Sequence, residues 1–457
     1  MTASHTDTSL RGSLKSSLIV AFVSGLAGLV VLAQDVIIAS RFGTSAAADA
    51  YQLAISFPIL AINVLAGGTL LAVLVPLLVQ LDVAGRRIEA VTLIKQTRHM
   101  MGWALLTVCA LWALAYPYIA GQIARKFSAD TLILSTQLLW VVVPGLLFSG
   151  LASVEAAVLN SRRRFIFIST LPAFMPAGVI LGIWLLEARL GIYAAAFGLL
   201  CASTIQWLTG RRLTAPLLPQ VEDSPPFLSL TRLLRDYGTA AAAAALLSGI
   251  LLSDTFMAST LAPGSTSTYS YATRPVMLLL AFATAVVGNV TLPFFSHLVA
   301  TGDWHALKKY VLLWFSLITI AALPVVSLWY FHVTDIVALL YQRGTFDPAD
   351  SARVAAVQQI YLLQIPFFLV AVIGWRVMNS LNRHAVLLVI TAMCFAVNLA
   401  ADLWLAPRLG LQGIAWGTNL AFALWALLIT FYLLRIRSKN AAMARHDSEP
   451  IFPFKSP

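Results

Sequence analysis

Apolar runs of about 20 residues recur along the whole chain, and each is long enough to cross the hydrocarbon core of a bilayer as a helix. Only 11% of the residues are charged, against about 25% in a typical soluble domain. Lipid offers the backbone no hydrogen-bond partners, so a chain inside a bilayer must satisfy its own N–H and C=O groups. The runs therefore predict an all-α polytopic membrane protein.

About twelve transmembrane helices are predicted, in two six-helix lobes. The longest polar connection, residues 211–236, separates the lobes and contains four prolines and mixed charges, as is typical of a linker. We predict an N-terminal lobe at 1–210, a cytoplasmic linker at 211–236, a C-terminal lobe at 237–440 and a disordered cytoplasmic tail at 441–457. The predicted helices are 16–40, 51–80, 100–123, 132–159, 165–186, 191–209, 238–261, 268–299, 308–332, 353–378, 384–405 and 411–435.

One sequence pattern occurs in both halves of the chain. An acid inside an apolar segment is followed by a small-residue loop, a tyrosine and a leucine- or valine-proline pair, first from Asp35 to Pro76 and again from Asp254 to Pro293. Six helices per half give both halves the same orientation, which predicts parallel repeats about an axis along the membrane normal, around a central cavity.

The basic residues predict the orientation in the membrane. If the N-terminus is cytoplasmic, most of the 30 Lys and Arg fall on the cytoplasmic side, which predicts cytoplasmic N- and C-termini. The net charge of +11 has the same explanation, and no nucleic-acid partner is expected.

Four ionisable side chains lie inside predicted helices, where charge is costly and commonly functional. Asp35, Glu155 and Asp254 are candidates for coupling to H⁺ or Na⁺, and Asp35 and Asp254 also for substrate contact. Arg274 is the leading substrate-binding candidate because a guanidinium matches phosphate geometry. The structural alternative for each is a buried ion pair or hydrogen bond between helices.

Polar side chains also share one face of the second predicted helix by the 3.6-residue period: Gln52, Ser56, Asn63 and Gly67. Such a face is typical of a cavity wall, so Gln52 and Asn63 are candidate substrate contacts. A close contact between helices through small residues is the alternative.

Several kinds of chemistry have no matching motif. No phosphate-binding glycine-rich motif and no His or Cys cluster is present, and the three cysteines lie in apolar segments, so neither a cofactor nor a metal is predicted. The predicted outward loops are short, which disfavours an enzyme such as a membrane glycosyl polymerase.

Short motifs throughout the chain resemble one known family. They are Gln34 to Gly43, Asp49-Ala50-Tyr51, Pro58, Val75-Pro76, Ala152-Ser153, Leu159-Asn160, Arg164-Phe165, Tyr271-Ala272-Thr273-Arg274, Leu292-Pro293, Gln342-Arg343-Gly344-Thr345-Phe346-Asp347 and Asn398. Together they are similar to the MurJ/MviN lipid II flippases, within the multidrug/oligosaccharidyl-lipid/polysaccharide exporter superfamily.

The resemblance implies a transporter of the bacterial inner membrane with a central cavity open to one side at a time. The expected partners are membrane lipid, a polyprenyl-diphosphate-linked glycan and a driving force from H⁺, Na⁺ or the membrane potential. Arg274 matches a family arginine that holds the diphosphate. Other family arginines are neutral here, with Gln34, Ile62 and either Gly25 or Gly28 in their places, and Glu155 replaces a glycine.

The resulting hypothesis is a flippase for lipid II or a related lipid-linked glycan, with Gln34 among its substrate contacts. The alternative is a cation-coupled small-molecule or drug antiporter of the same superfamily, supported by the acids Asp35, Glu155 and Asp254. A scaffold role is disfavoured by the charges inside the membrane.

Overall fold

The computed structural model describes residues 23–435 except 24, 66–67, 125, 163, 219–229 and 382. Its regular elements are helices, and no strand occurs in the described ranges. The helices are α1 (Gly25–Phe42), α2 (Ala46–Leu65), α3 (Gly68–Val83), α4 (Arg87–Ile123), α5 (Ala129–Ser161), α6 (Phe165–Leu190), α7 (Tyr193–Thr214), α8 (Leu230–Ser259), α9 (Ser265–Thr301), α10 (Trp304–Phe331), α11 (Val333–Tyr341), α12 (Pro348–Tyr361), α13 (Ile365–Ser380), α14 (His384–Leu409) and α15 (Leu411–Arg435).

The predicted fold class is confirmed: the chain is an all-α polytopic membrane protein. Among the described residues, nine helical stretches are long and apolar enough to cross a membrane. The predicted spans coincide with helix almost throughout the part of the chain that the structure describes. The start of the first predicted span and the predicted tail at 441–457 lie outside the described residues.

One predicted span is interrupted. The span predicted at 353–378 is broken by a 3-10 turn, Leu362–Gln364, just before Pro366, which has no N–H to donate to a preceding turn. The predicted span lies within one apolar helical stretch, Pro348–Ser380, that is long enough to cross a membrane, and the 3-10 turn is a local change inside it. The span predicted at 51–80 is described as α2 and α3, and residues 66–67 between them lie outside the described part.

Other differences between the predicted spans and the observed helices lie at the polar ends of helices. α4 begins at Arg87 rather than at 100, with Arg86 and Glu89 paired at 2.6 Å around its first turn. α7 continues to Thr214 and α8 begins at Leu230, so the connection between them is shorter than the predicted linker. The short helix α11 was not predicted because its nine residues are too few for a span.

The chain forms two compact units. The first takes in the described residues up to Tyr271 together with Leu340–Ser351, and the second takes in Ala272–Leu339 with the described residues from Ala352 onward. In the first unit, α5 packs against α2, α4 and α7, and α8 packs against α2. In the second, α15 packs against α13 and α14. The lobe boundaries at 210 and 237 stay a prediction.

Candidate functional site

A buried carboxylate, Asp49, joins the first turn of α2 to the start of α9. Its Oδ2 accepts a hydrogen bond from the backbone N–H of Gly264 at 2.5 Å. Its Oδ1 accepts bonds from the backbone N–H and the hydroxyl of Ser267 at 2.8 and 2.7 Å. The first N–H groups of a helix lack partners within the helix, and a carboxylate satisfies them well. One fully buried side chain of α2 therefore fixes the α8–α9 turn.

The segment between α11 and α12 folds against the turn between α1 and α2. The N–H of Thr345 donates to the carbonyl of Ser40 at 2.9 Å, and the Thr44 hydroxyl donates to Asp350 Oδ1 at 2.6 Å. Gly344 has φ +61° and passes so close to the Ser40 carbonyl that a Cβ would collide with it. Only glycine adopts this backbone conformation at low cost, and here the space also requires it.

Three buried aromatic rings support the same region. The rings of Tyr271, Tyr341 and Phe346 lie 5.4 to 5.7 Å apart between centroids, and the Tyr271 hydroxyl donates to the carbonyl of Gly43 at 3.0 Å. We call residues 40–49, 264–271 and 341–350 the turn cluster. All of it lies in the first unit.

Glu155 on α5 is engaged in a buried ion pair. Arg98 on α4 donates to its two carboxylate oxygens at 2.9 and 2.6 Å, and the hydroxyl of Thr214 on α7 donates at 2.6 Å. Arg211 approaches the same carboxylate at 3.8 Å. The Glu155 side chain is 1% exposed and that of Arg98 is 16% exposed. This is the structural alternative foreseen for Glu155, and its predicted part in ion coupling stays a prediction.

The sequence matches a known protein family over most of its length. The family model described as "Lipid II flippase MurJ" matches residues 38–446. The chain belongs to the MurJ family.

Similar proteins agree with this membership. A probable lipid II flippase MurJ from Synechocystis sp. is 25% identical over 453 residues, covering 93% of this chain and 83% of the relative. One from Thermotoga maritima is 24% identical over 422 residues, covering 92% and 83%.

Solved structures show the same fold. A lipid II flippase MurJ in an inward closed conformation matches with TM-score 0.79 and 20% identity, covering 93% of this chain and 90% of that one. An inward-facing multidrug resistance MATE family transporter matches with TM-score 0.73 and 12% identity, covering 95% and 100%. At these identities the likeness is one of fold.

The leading predicted site residues of this MurJ family member lie on separate elements. Asp35 is buried on α1, and Asp254 is buried on α8, where the hydroxyl of Tyr269 donates to its Oδ2 at 2.8 Å. Arg274 is half-buried on α9 and belongs to the second unit, whereas both acids belong to the first. A common substrate site built from these residues stays a prediction.

The predicted amides differ in burial. Gln34 on α1 and Gln52 on α2 are buried, whereas Asn63, about three turns further along α2, is exposed. The Gln52 amide nitrogen makes no hydrogen bond to a described protein atom. Gly67, the last member of the predicted polar face, lies outside the described residues, so the face is described only from Gln52 to Asn63.

The sequence analysis missed a buried acid in the second unit. Asp402 on α14 is fully buried, and Asn398 lies one turn before it on the same helix face. The Asp402 carboxylate contacts α15 where Gly417 leaves room for it, since a Cβ there would collide with Oδ1. An acid in an apolar run with an amide four residues earlier is the signal that would have identified this group.

Proposed function

We propose that this chain flips a lipid-linked glycan precursor, either lipid II or a related polyprenyl-diphosphate oligosaccharide, across the bacterial inner membrane by alternating access. The observation that carries the proposal is the family match over residues 38–446, on a chain whose fold is that of a lipid II flippase. The protein is a transporter and not an enzyme. The headgroup crosses between helices while the polyprenyl tail stays in lipid, which avoids moving a charged diphosphate through hydrocarbon.

Alternating access needs an end of the transporter that closes and opens. We propose that the turn cluster is the closed outward end. It holds segments from both halves of the sequence together through the Asp49 bonds to Gly264 and Ser267 and through the Thr44–Asp350 hydrogen bond. These are a few short polar contacts between turns, and such contacts can break and re-form without unfolding a helix.

The assignment of the outward side rests on the proposed orientation. Basic residues concentrate at the opposite helix ends, as in Arg86, Arg162, Arg211 and Arg383, which supports cytoplasmic N- and C-termini. We retain the two six-helix lobes, 1–210 and 237–440, as part of the same proposal.

We propose that Arg274 binds the diphosphate of the substrate. A guanidinium donates two parallel hydrogen bonds to phosphate oxygens and keeps its charge at any physiological pH. Asp35, Asp254, Gln34, Gln52 and Asn63 are proposed to contact the headgroup as this end opens. Sugar hydroxyls both donate and accept hydrogen bonds, as these carboxylates and amides require.

The driving force is proposed to be a cation gradient or the membrane potential. A buried carboxylate in a membrane helix is costly when charged, so binding H⁺ or Na⁺ there is a ready means of coupling. Asp35, Asp254 and the newly found Asp402 fit this role. Glu155 fits it less well because Arg98 already balances its charge.

Complementation tests the function. The gene is expressed in a bacterium depleted of its own lipid II flippase, beside the variants Arg274→Ala and Arg408→Ala. Arg408 lies in the last turn of α14, is exposed and packs its guanidinium over Trp404, so it controls for the loss of an arginine. We expect the wild type and Arg408→Ala to restore growth and Arg274→Ala to fail at equal membrane abundance.

Failure of the wild type, when it is stably inserted, would argue against lipid II as substrate. The same variants are then assayed in vesicles carrying other polyprenyl-diphosphate oligosaccharides. Equal rescue by Arg274→Ala and wild type would reject the diphosphate role of Arg274.

A further inference from the structure

The span formed by α12 and α13 is broken in its middle. α12 ends at Tyr361, a 3-10 turn covers Leu362–Gln364, and α13 begins at Ile365. The N–H of Ile365 donates three residues back, to the carbonyl of Leu362, and Pro366 has no N–H. A stretch of 3-10 helix in the middle of an α-helix often marks a functional hinge or local strain.

Contacts with α15 show where the 3-10 turn lies within the second unit. Asn419 Nδ2 donates to the carbonyl of Ile360 at 2.8 Å, before the break. Beyond it, the rings of Phe368 and Phe422 lie 5.1 Å apart. From the first contact to the second, the residue numbers increase along both the α12–α13 span and α15. The 3-10 turn itself packs against α15 and α10. Gln364 therefore lies along the chain between the residues of these two contacts, in the turn that packs against α15 and α10.

The Gln364 side chain is fully buried, and neither its amide oxygen nor its amide nitrogen has a hydrogen-bond partner among the described residues. Asn419, which is 4% exposed, uses its amide nitrogen on Ile360, but its Oδ1 has no partner within the same described part. The preceding buried amide is different. Gln358 donates to the carbonyl of Ala272 at 2.9 Å and accepts from Trp329 Nε1 at 3.2 Å.

An amide buried without partners is expensive, and more so in a membrane where no bulk water reaches it. The partner that Gln364 and Asn419 require must donate to carbonyl oxygens and accept from an amide N–H. We take this partner to be neutral, because α10, α12–α13 and α15 carry no charged side chain at 310–331, 354–375 or 411–434. The buried acid Asp402 of α14 contacts α15 at Gly417, which lies on the opposite side of α15 from Asn419 by the 3.6-residue period.

We propose that the break is a built-in hydration site, in which water accepts a hydrogen bond from Gln364 Nε2 and donates one to Asn419 Oδ1. Water of this kind satisfies the two buried side-chain amides beside the 3-10 turn and lets the two halves of the span tilt without exposing bare polar groups. The site is a property of the second unit alone. Its service as a hinge during transport rests on the proposed function.

Radiolytic hydroxyl-radical labelling of the purified protein in lipid nanodiscs tests the site, because a bound water generates radicals next to it even where bulk water is excluded. Phe422 is the reporter ring, and Phe315 on α10 is the control, since the two are 6% and 7% exposed. The variants are Gln364→Leu, which removes the polar atoms, and Gln364→Asn, which keeps an amide. Gln359→Leu is a matched control that removes an amide whose nitrogen donates to the Tyr330 carbonyl.

We expect Phe422 to be labelled several-fold more than Phe315 in the wild type, in Gln364→Asn and in Gln359→Leu. Gln364→Leu is expected to lose this excess. Equal labelling of the two rings in the wild type would overturn the site, and so would an excess that persists in Gln364→Leu. The wild-type comparison decides the matter even if a variant fails to fold.

Transport is measured separately by complementation. Loss of labelling with normal growth would leave the hydration site standing and reject the hinge. Wild-type failure to complement, with normal labelling, would count against the proposed function alone.

Discussion

Glu155 lies where α4, α5 and α7 meet, and each of its carboxylate oxygens accepts a charged hydrogen bond from Arg98. A buried ion pair adds little stability compared with apolar residues, because removing both charges from water costs about as much as their attraction returns. Breaking such a pair is different, since it leaves one charge buried alone. This asymmetry gives the pair a clear experimental signature.

We predict that Arg98→Met lowers the free energy of unfolding by about 3–5 kcal/mol, because it leaves the Glu155 carboxylate without its main partner. The double variant Arg98→Met with Glu155→Leu is expected to recover most of that loss. Equilibrium unfolding in mixed detergent, run as a double-mutant cycle, measures both. Additive effects of the two single variants would mean that the side chains do not stabilise each other.

The stabilising effect of Asp49 depends on hydrogen-bond geometry as well as on charge, because both of its oxygens face N–H donors. We predict that Asp49→Asn lowers the free energy of unfolding by about 1–3 kcal/mol, since the new amide nitrogen must face a backbone N–H of Gly264 or Ser267. Asp130→Asn is the control, because Asp130 also lies in the first turn of a helix but is exposed. Thermal denaturation in detergent should separate the two variants; equal melting temperatures would contradict the assigned bonds.

The sequence identified these side chains but not their partners. Asp49 was recognised as part of a family motif, yet its bonds run to residues 215 and 218 positions away, which no local pattern reveals. Glu155 was predicted either to couple an ion or to pair with a base. Arg98 was not singled out because it lies in the part of α4 that precedes the predicted span. Asp402 was missed although its spacing from Asn398 was readable.

At the level of elements, hydropathy located the described spans, because lipid forces long apolar segments to be helical. It did not locate α11, which depends on which backbone groups find partners, and the interruption at Leu362–Gln364 is indicated by Pro366 rather than by hydropathy. The segment from Gln342 to Asp347 is a similar case. Its motif was recognisable, but its packing against the α1–α2 turn follows from one tight backbone approach.

The close contact between Gly344 and the Ser40 carbonyl predicts that substitution of Gly344 destabilises the protein. We expect Gly344→Ala to lower the free energy of unfolding by at least about 2 kcal/mol, since a side chain at φ +61° costs about 1–2 kcal/mol and its Cβ also collides with the Ser40 carbonyl. Gly302→Ala is the matched control. Gly302 has φ +72°, but no atom lies within 4 Å of the position that a Cβ would take, so only the conformational cost of about 1–2 kcal/mol applies. Equal losses at both positions would show that the collision is relieved by movement of the loop.

At the scale of the whole molecule, the two lobes predicted from the sequence do not coincide with the two compact units of the structure. Most of α8, the start of α9 and Leu340–Ser351 belong to the second predicted lobe, yet all three are part of the first unit. The contacts responsible are the packing of α8 against α2 and the bonds of the turn cluster, and neither is encoded in the hydropathy of either half. The proposed closed outward end accounts for the contribution of the turn cluster to this arrangement.

A reversible cross-link tests that explanation. Thr44 and Asp350 face each other with 2.6 Å between their side-chain oxygens, so a pair of cysteines at these positions is the cross-link to test, with disulfide formation confirmed by mass spectrometry. The native cysteines interfere little. Cys109 and Cys394 are buried, and the exposed Cys201 is replaced by serine.

We predict that oxidised Thr44→Cys/Asp350→Cys protein fails to flip a lipid-linked substrate in proteoliposomes, and that reduction restores flipping to the level of the single-cysteine variants. The physical reason is that a covalent bond across the turn cluster keeps the outward end shut, whereas the hydrogen bond it replaces can break in each cycle. The single-cysteine variants control for the lost hydrogen bond and for oxidation as such. Full activity of the cross-linked protein would mean that these turns stay together throughout transport, and that the outward end opens elsewhere.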